Sequence, residues 1–167
     1  MTEADKNFIE TCKKIIKEGY SSKGTNVRTR WQDGTEANYI SIVGVSNKYD
    51  VGKEFPMITL RNNSKTVYRA IDEILWIWQK KSNAVKDLNS HIWDQWVDEN
   101  GTIGKAYGYQ LGKKYTFKTK EGLKEMDQVD YVLYLLKNDP SSRRIMTNIF
   151  NFEDLKDMML EPCAYGT

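Results

Sequence analysis

Cysteine, arginine and glutamate supply the chemistry this sequence can offer. Cys163 follows a proline in Leu160-Glu161-Pro162-Cys163. A thiol is a strong nucleophile only as thiolate, and nearby positive charge or a helix N-terminus favours that form. Pro-Cys alone equally describes an inert buried thiol. Arg143 and Arg144, in Asn138-Asp-Pro-Ser-Ser-Arg-Arg, set two forked guanidiniums beside a turn, a donor arrangement suited to a phosphate dianion. Ordinary surface ion pairing would use the same two residues. Arg28 and Arg30, in Val27-Arg-Thr-Arg-Trp31, form a second basic spot open to both readings. Glu73 sits at the boundary of an apolar helical stripe. Exposure would leave it a plain surface carboxylate; burial would raise its pKa and let it relay protons.

Aromatic residues come next. Trp93 and Trp96, in His91-Ile-Trp-Asp-Gln-Trp, share one side of a helical turn and offer either packing or a stacking wall for a flat heteroaromatic ligand. His91 is the one histidine, so a zinc site would need carboxylates for most of its ligands, and no metal is expected. Cys12 and Cys163 show no paired metal-ligand spacing.

Positioning these groups takes a folded domain, and 167 residues suffice for a single one spanning 1–167. A composition 40% hydrophobic and 29% charged is that of a globular protein, and a net charge of +2 gives no support to nucleic acid as a substrate. The polar, acidic start MTEADKNFIE is unlike a targeting peptide, and Ile74 to Trp78 is too short an apolar run to span a bilayer. A cytoplasmic protein with free thiols and no membrane partner is expected.

The periodicity predicts a helix over 5–19 with Phe8, Ile9, Cys12, Ile15 and Ile16 on one face, making Cys12 core filler. A turn at 32–35 leads to a strand over 38–46. A second helix covers 65–80, with Val67, Ile71, Ile74, Leu75 and Trp78 on its stripe. A third, capped by Asp127, carries Val129, Val132, Leu133 and Leu136 until Asp139-Pro140 ends it. Arg144 to Phe150 reads as a strand, and Asn151 as the cap of a short helix to Met159. Interspersed helices and strands make the fold α/β or α+β.

Singly these signals are weak; their order is specific. Glu73-Ile-Leu-Trp, Ile92-Trp-Asp-Gln-Trp, Gly104-Lys-Ala-Tyr107-Gly-Tyr-Gln, Asp127-Gln-Val-Asp, the double arginine and Leu160-Glu-Pro-Cys163 together resemble the folate-dependent thymidylate synthases, densely from about Arg28 to Cys163. Val-Arg-Thr-Arg-Trp resembles a divergent bacterial or phage subgroup. The resemblance implies a mixed twisted β-sheet with flanking helices, here incomplete. It implies dUMP and 5,10-methylenetetrahydrofolate as substrates, with no metal, and a cytoplasmic homodimer. Cys163 would add to carbon 6 of the uracil, Glu73 would organise a proton-relaying water network, and Tyr107 would sit near the cysteine. Arg28 would bind the dUMP phosphate, and Arg143 and Arg144 would reach the partner's phosphate across the dimer. Ile92, Trp93 and Trp96 would line the folate pocket.

Ala164 stands where the family usually has histidine after Pro-Cys, and 56–65 lacks the usual Thr-Thr-Lys. Contacts to the folate tail are therefore not transferred to that loop. The resemblance also implies a C-terminal part beyond Thr167, carrying the residues that read the base, so the chain is expected to be an N-terminal portion, inactive by itself. Deoxycytidylate hydroxymethylase resembles the synthases up to that base-reading residue. A non-catalytic dimerising paralogue, a single-stranded nucleic-acid binder and a cysteine hydrolase resting on His91 complete the alternatives.

Overall fold

A computed structural model describes residues 1–61 and 63–167; Asn62, inside the 56–65 stretch, lies outside the described residues. The chain forms two compact units, Met1–Ser64 and Lys65–Thr167.

In the first unit, helix α1 spans Glu3–Glu18. Thr2 caps it: its hydroxyl accepts from Asp5 N–H at 3.1 Å, and the Asp5 carboxylate accepts from Thr2 N–H at 2.9 Å, a reciprocal capping box. Asp5 is fully buried, and Thr59 also donates to it, through N–H and hydroxyl at 2.6 Å each. The Thr59 hydroxyl, chiefly, holds the Asp5 carboxyl down at about 2. The face expected to be apolar core is only partly covered. Phe8 and Ile16 are exposed, and Ile9, Ile15 and Cys12 are half-buried, so Cys12 is not core filler.

The strand expected over 38–46 shortens to β2, Ile40–Ser41, which pairs antiparallel with β1, Tyr20–Ser21. Gly44, at φ +75°, turns the chain out of the extended region. The turn at 32–35 is present, with the Asp33 carboxylate accepting from Thr35 N–H at 2.9 Å.

In the second unit the helix expected over 65–80 changes character midway. Helix α2, Ser64–Ile74, runs into a π-helical turn over Leu75–Gln79, closed by Lys80 N–H donating to the Leu75 carbonyl at 3.0 Å. Such widened turns recur near functional sites. This one drives Trp76 and Ile77 into the core.

Helix α3, Gly108–Gly112, and the antiparallel hairpin of β3, Tyr115–Thr119, and β4, Gly122–Met126, follow. Neither was expected from the sequence. Helix α4, Gln128–Asn138, begins where predicted, with the Asp127 carboxylate accepting from Asp130 N–H at 2.9 Å. The core joins Trp76, Ile77, Leu88, Trp93, Ile103 and Leu111, among others.

Two further expectations are corrected. Residues 144–150 make no multi-residue ladder. The chain turns through Asp139 to Ser142, and pairing reduces to a bridge of Asn148 with Gly166. The two-residue alternation survives, with Thr147 and Ile149 buried and Met146 and Asn148 exposed. The helix expected from Asn151 to Met159 is one 3-10 turn, Leu155–Asp157.

Candidate active site

Glu73 comes from the end of α2, Trp93 from the loop before a 3-10 turn at Asp94–Trp96, Tyr107 from the residue preceding α3, and Cys163 from the segment after Pro162. Trp93 Nε1–H donates to Glu73 Oε1 at 2.6 Å. The half-buried carboxylate is thus held by an indole and not left on the surface. The Trp93 ring is buried, 5.4 Å from the ring of Tyr107 and 6.3 Å from that of Trp76. Trp96 packs edge-on against it at 5.4 Å. Ile92 is half-buried beside the same cluster.

Tyr107 connects this aromatic cluster to the cysteine. Its hydroxyl accepts from Cys163 N–H at 3.1 Å. Burial raises the phenol pKa and outweighs the opposing effect of the Cys163 N–H bond, with smaller upward contributions from the Cys163 thiol and Glu73. Tyr107 sits at φ +36°, a conformation that costs a non-glycine residue energy and that surrounding contacts must impose. Immediately after it, a Cβ on Gly108 would lie 2.1 Å from the Ser82 carbonyl oxygen, so the chain passes Ser82 only because that position has no side chain. Cys163 itself is exposed.

Two acid–base clusters brace the frame. The buried Asp154 carboxylate accepts from Gln110 Nε2 at 3.0 Å, Asn151 Nδ2 at 2.9 Å, Lys113 Nζ at 3.1 Å and Lys105 Nζ at 3.2 Å. The Gln110 bond leads in lowering its pKa to about 2, with the lysines adding to it against burial. Asp127 is paired with Lys81 at 2.7 Å and Lys114 at 2.9 Å. Burial pushes the Asp127 carboxyl up, but Lys81, the Asp130 N–H and Lys114 outweigh it and hold it at about 2.

The structure therefore joins Glu73, Trp93, Tyr107 and Cys163 by contact, with Ile92 and Trp96 on the same cluster. Arg143 and Arg144 are exposed beside the 139–142 turn, with no ion pair to either among the described residues, and make none of these contacts. Arg28 is exposed in the first unit, while its neighbour Arg30 is engaged with the Val27 carbonyl at 2.6 Å and with Glu36 at 3.4 Å. His91 is exposed and bonded to Asp94 at 2.9 Å. Sequence reasoning missed Gln110, Asp154 and Gln128. Only the Asp127-Gln-Val-Asp and Tyr107-Gly-Tyr-Gln110 motifs pointed near them.

A family model described as thymidylate synthase matches residues 6–167. The chain belongs to the thymidylate synthase family. It is 48% identical to a thymidylate synthase of Bacillus subtilis subsp. natto and 47% identical to that of Bacillus phage phi3T, in each case over all of this chain and 59% of the relative. A solved structure, thermostable thymidylate synthase A from Bacillus subtilis, matches with a TM-score of 0.80 at 46% identity, over 99% of this chain and 58% of that one. The α/β architecture is thus that of the thymidylate synthase fold, of which the chain spans about three-fifths. Among the described residues no helix is long and apolar enough to cross a membrane, and no group of three or more potential ligands is gathered to hold a metal ion.

Proposed function

We propose that these residues form the nucleophile-bearing part of a cytoplasmic, homodimeric thymidylate synthase that converts dUMP to dTMP. The contact chain from Glu73 through Trp93 and Tyr107 to Cys163 carries this reading. It brings a nucleophile, a carboxylate and an aromatic wall into one unit. Cys163 Sγ adds to carbon 6 of the uracil, and the resulting enolate at carbon 5 takes up the one-carbon unit. The 5,10-methylenetetrahydrofolate supplies that carbon and a hydride, leaving dihydrofolate.

The protein supplies position and charge. Glu73, fixed by the Trp93 indole, orders the water through which the carbon 5 proton departs. Tyr107 holds the backbone amide of Cys163. Ile92, Trp93 and Trp96 wall the pterin side. Arg28, and Arg143 and Arg144 from the partner subunit, neutralise the phosphate; the exposure of all three guanidiniums is compatible with that use.

The chain spans 59% of the family members it matches, so the full pocket is proposed only for a polypeptide with the remaining two-fifths. The 167 residues alone are expected to be inactive. Fusing them to the remaining part of the Bacillus subtilis enzyme gives the test. Formation of dTMP and dihydrofolate from dUMP, abolished by Cys163→Ser, is expected. No turnover by the fusion, or turnover undiminished in C163S, would sink the reading.

A further inference from the structure

Gln128, the first residue of α4, uses its carboxamide as though it were a neighbouring strand. Its Oε1 accepts from Asn148 N–H at 2.7 Å, and its Nε2 donates to the Asn148 carbonyl at 2.9 Å. These two bonds engage both main-chain groups of one residue, as a hydrogen-bonded residue in an antiparallel strand would. The same Nε2 donates to the Gln110 carbonyl at 2.8 Å, tying the pair to α3.

On its other edge the same stretch carries the segment after the cysteine. Thr147 N–H donates to the Thr167 carbonyl at 2.8 Å, Ile149 N–H donates to the Tyr165 carbonyl at 2.8 Å, and Asn148 bridges to Gly166. The pairing is antiparallel, and Gly166 lies three positions beyond Cys163. A ladder this short has little register specification of its own. Gln128 occupies Asn148 from the opposite side and fixes the strand to which residues 165–167 are paired. Gln110, buried and bonded by its side chain to the Lys105 carbonyl at 2.8 Å and to Asp154 at 3.0 Å, carries the constraint back to α3 and hence to Tyr107. Cys163 is therefore held from two directions, by Tyr107 at its own amide and by the 147–149 pairing just after it.

We propose that Gln128 is a positioning residue for Cys163, setting the register of the strand pair that begins two residues after the nucleophile. The proposal rests on Cys163 being the nucleophile. The decisive change is Gln128→Glu, which keeps shape but makes the side chain an anion facing two carbonyl oxygens. Near about pH 7 the ionised carboxylate has no proton to donate. When protonated it recovers one donor and most of the original geometry.

Amide hydrogen exchange on the 167-residue chain reads the result directly. In Q128E, protection factors at Cys163, Thr147 and Ile149 should fall on the order of tenfold near neutrality and largely recover in mild acid. Gln128→Ala should lower them at both pH values. The amides of the β3–β4 hairpin, and Leu111 N–H, which donates to the Tyr107 carbonyl, should not follow. Unchanged protection at Cys163 would overturn the proposal. So would a uniform fall that includes Leu111, or a loss in Q128E that acid does not reverse. Exchange is measured without turnover, so a failure of the catalytic reading would appear in the C163S assay and not in this pattern.

Discussion

The indole N–H of Trp93 donates to the Glu73 carboxylate at 2.6 Å, across 20 positions of sequence. A half-buried carboxylate that loses such a donor keeps its desolvation cost without the compensating bond. Trp93→Phe should therefore destabilise the second unit by about 2 kcal/mol from the lost charge-assisted bond alone. A urea-unfolding cycle of W93F, Glu73→Met and the double variant isolates the coupling, since methionine removes the acceptor that glutamine would keep. Independent, additive effects would mean that the contact contributes nothing specific.

Gly108 allows a sharper test of backbone geometry. An added Cβ would meet the Ser82 carbonyl oxygen at 2.1 Å, with Ser82 N and C both at 2.8 Å. Main chain cannot yield as a flexible side chain does. Gly108→Ala should cost about 3 kcal/mol or more, in the range of severe overpacking. Displacing Ser82 would also disturb the neighbouring strained Tyr107, so the Cys163 amide should lose protection in the same variant. A stable G108A with an unchanged exchange pattern would contradict the geometry.

How far the sequence discloses this site depends on what kind of information each part carries. Asp127 as a helix cap and the helix after it were legible because capping and periodicity are local, but its buried face was not: Leu135 is buried, whereas Leu133 and Leu136 of the expected stripe are exposed. Glu73 was not legible either. Its place at a stripe boundary left exposure and burial open, and only the fold brings Trp93 to its oxygen. The β3–β4 hairpin escaped because Tyr115 to Met126 is mostly threonine, lysine and glutamate around a Gly122 turn, with only Tyr115, Phe117, Leu123 and Met126 apolar or aromatic. Its stacking partner, Phe117 on Tyr131 at 3.9 Å, comes from α4. The strand read at 144–150 had the correct alternation, but only 147–149 found a neighbour, residues 165–167, since pairing is a property of two segments. Motif order named the candidate site residues, whereas the lysine–aspartate clusters beneath them are tertiary and left no pattern in the chain.

The two thiols should separate cleanly by chemistry. Cys163 is exposed, and Cys12 is half-buried on α1. A maleimide in limiting amount should modify Cys163 first, with Cys12 following as the first unit opens. Peptide mass spectrometry after timed quenching measures both. Equal or inverted rates would show that the segment after Pro162 is covered in solution.

Acid should act through the carboxylates beneath the site. Asp127 and Asp154 are each held at about 2 against an ordinary value of 3.8. A carboxyl depressed on folding contributes stability that is complete above its unfolded pKa and lost as pH falls through the folded one. Thermal stability should thus be nearly flat from about pH 6 to about pH 4 and drop steeply towards about pH 2. Replacing both by asparagine keeps volume but removes the Asp154 anion from Lys113 and leaves Lys81 and Lys114 only Asp130, and Lys105 only Asp157. Those variants should be less stable near neutrality and should lose much of the acid slope. Asp5, Asp33, Asp98 and Glu121, depressed in the same direction by their own hydrogen bonds, would retain the remainder. An acid profile as steep in the double variant as in the parent would remove Asp127 and Asp154 as the groups that titrate.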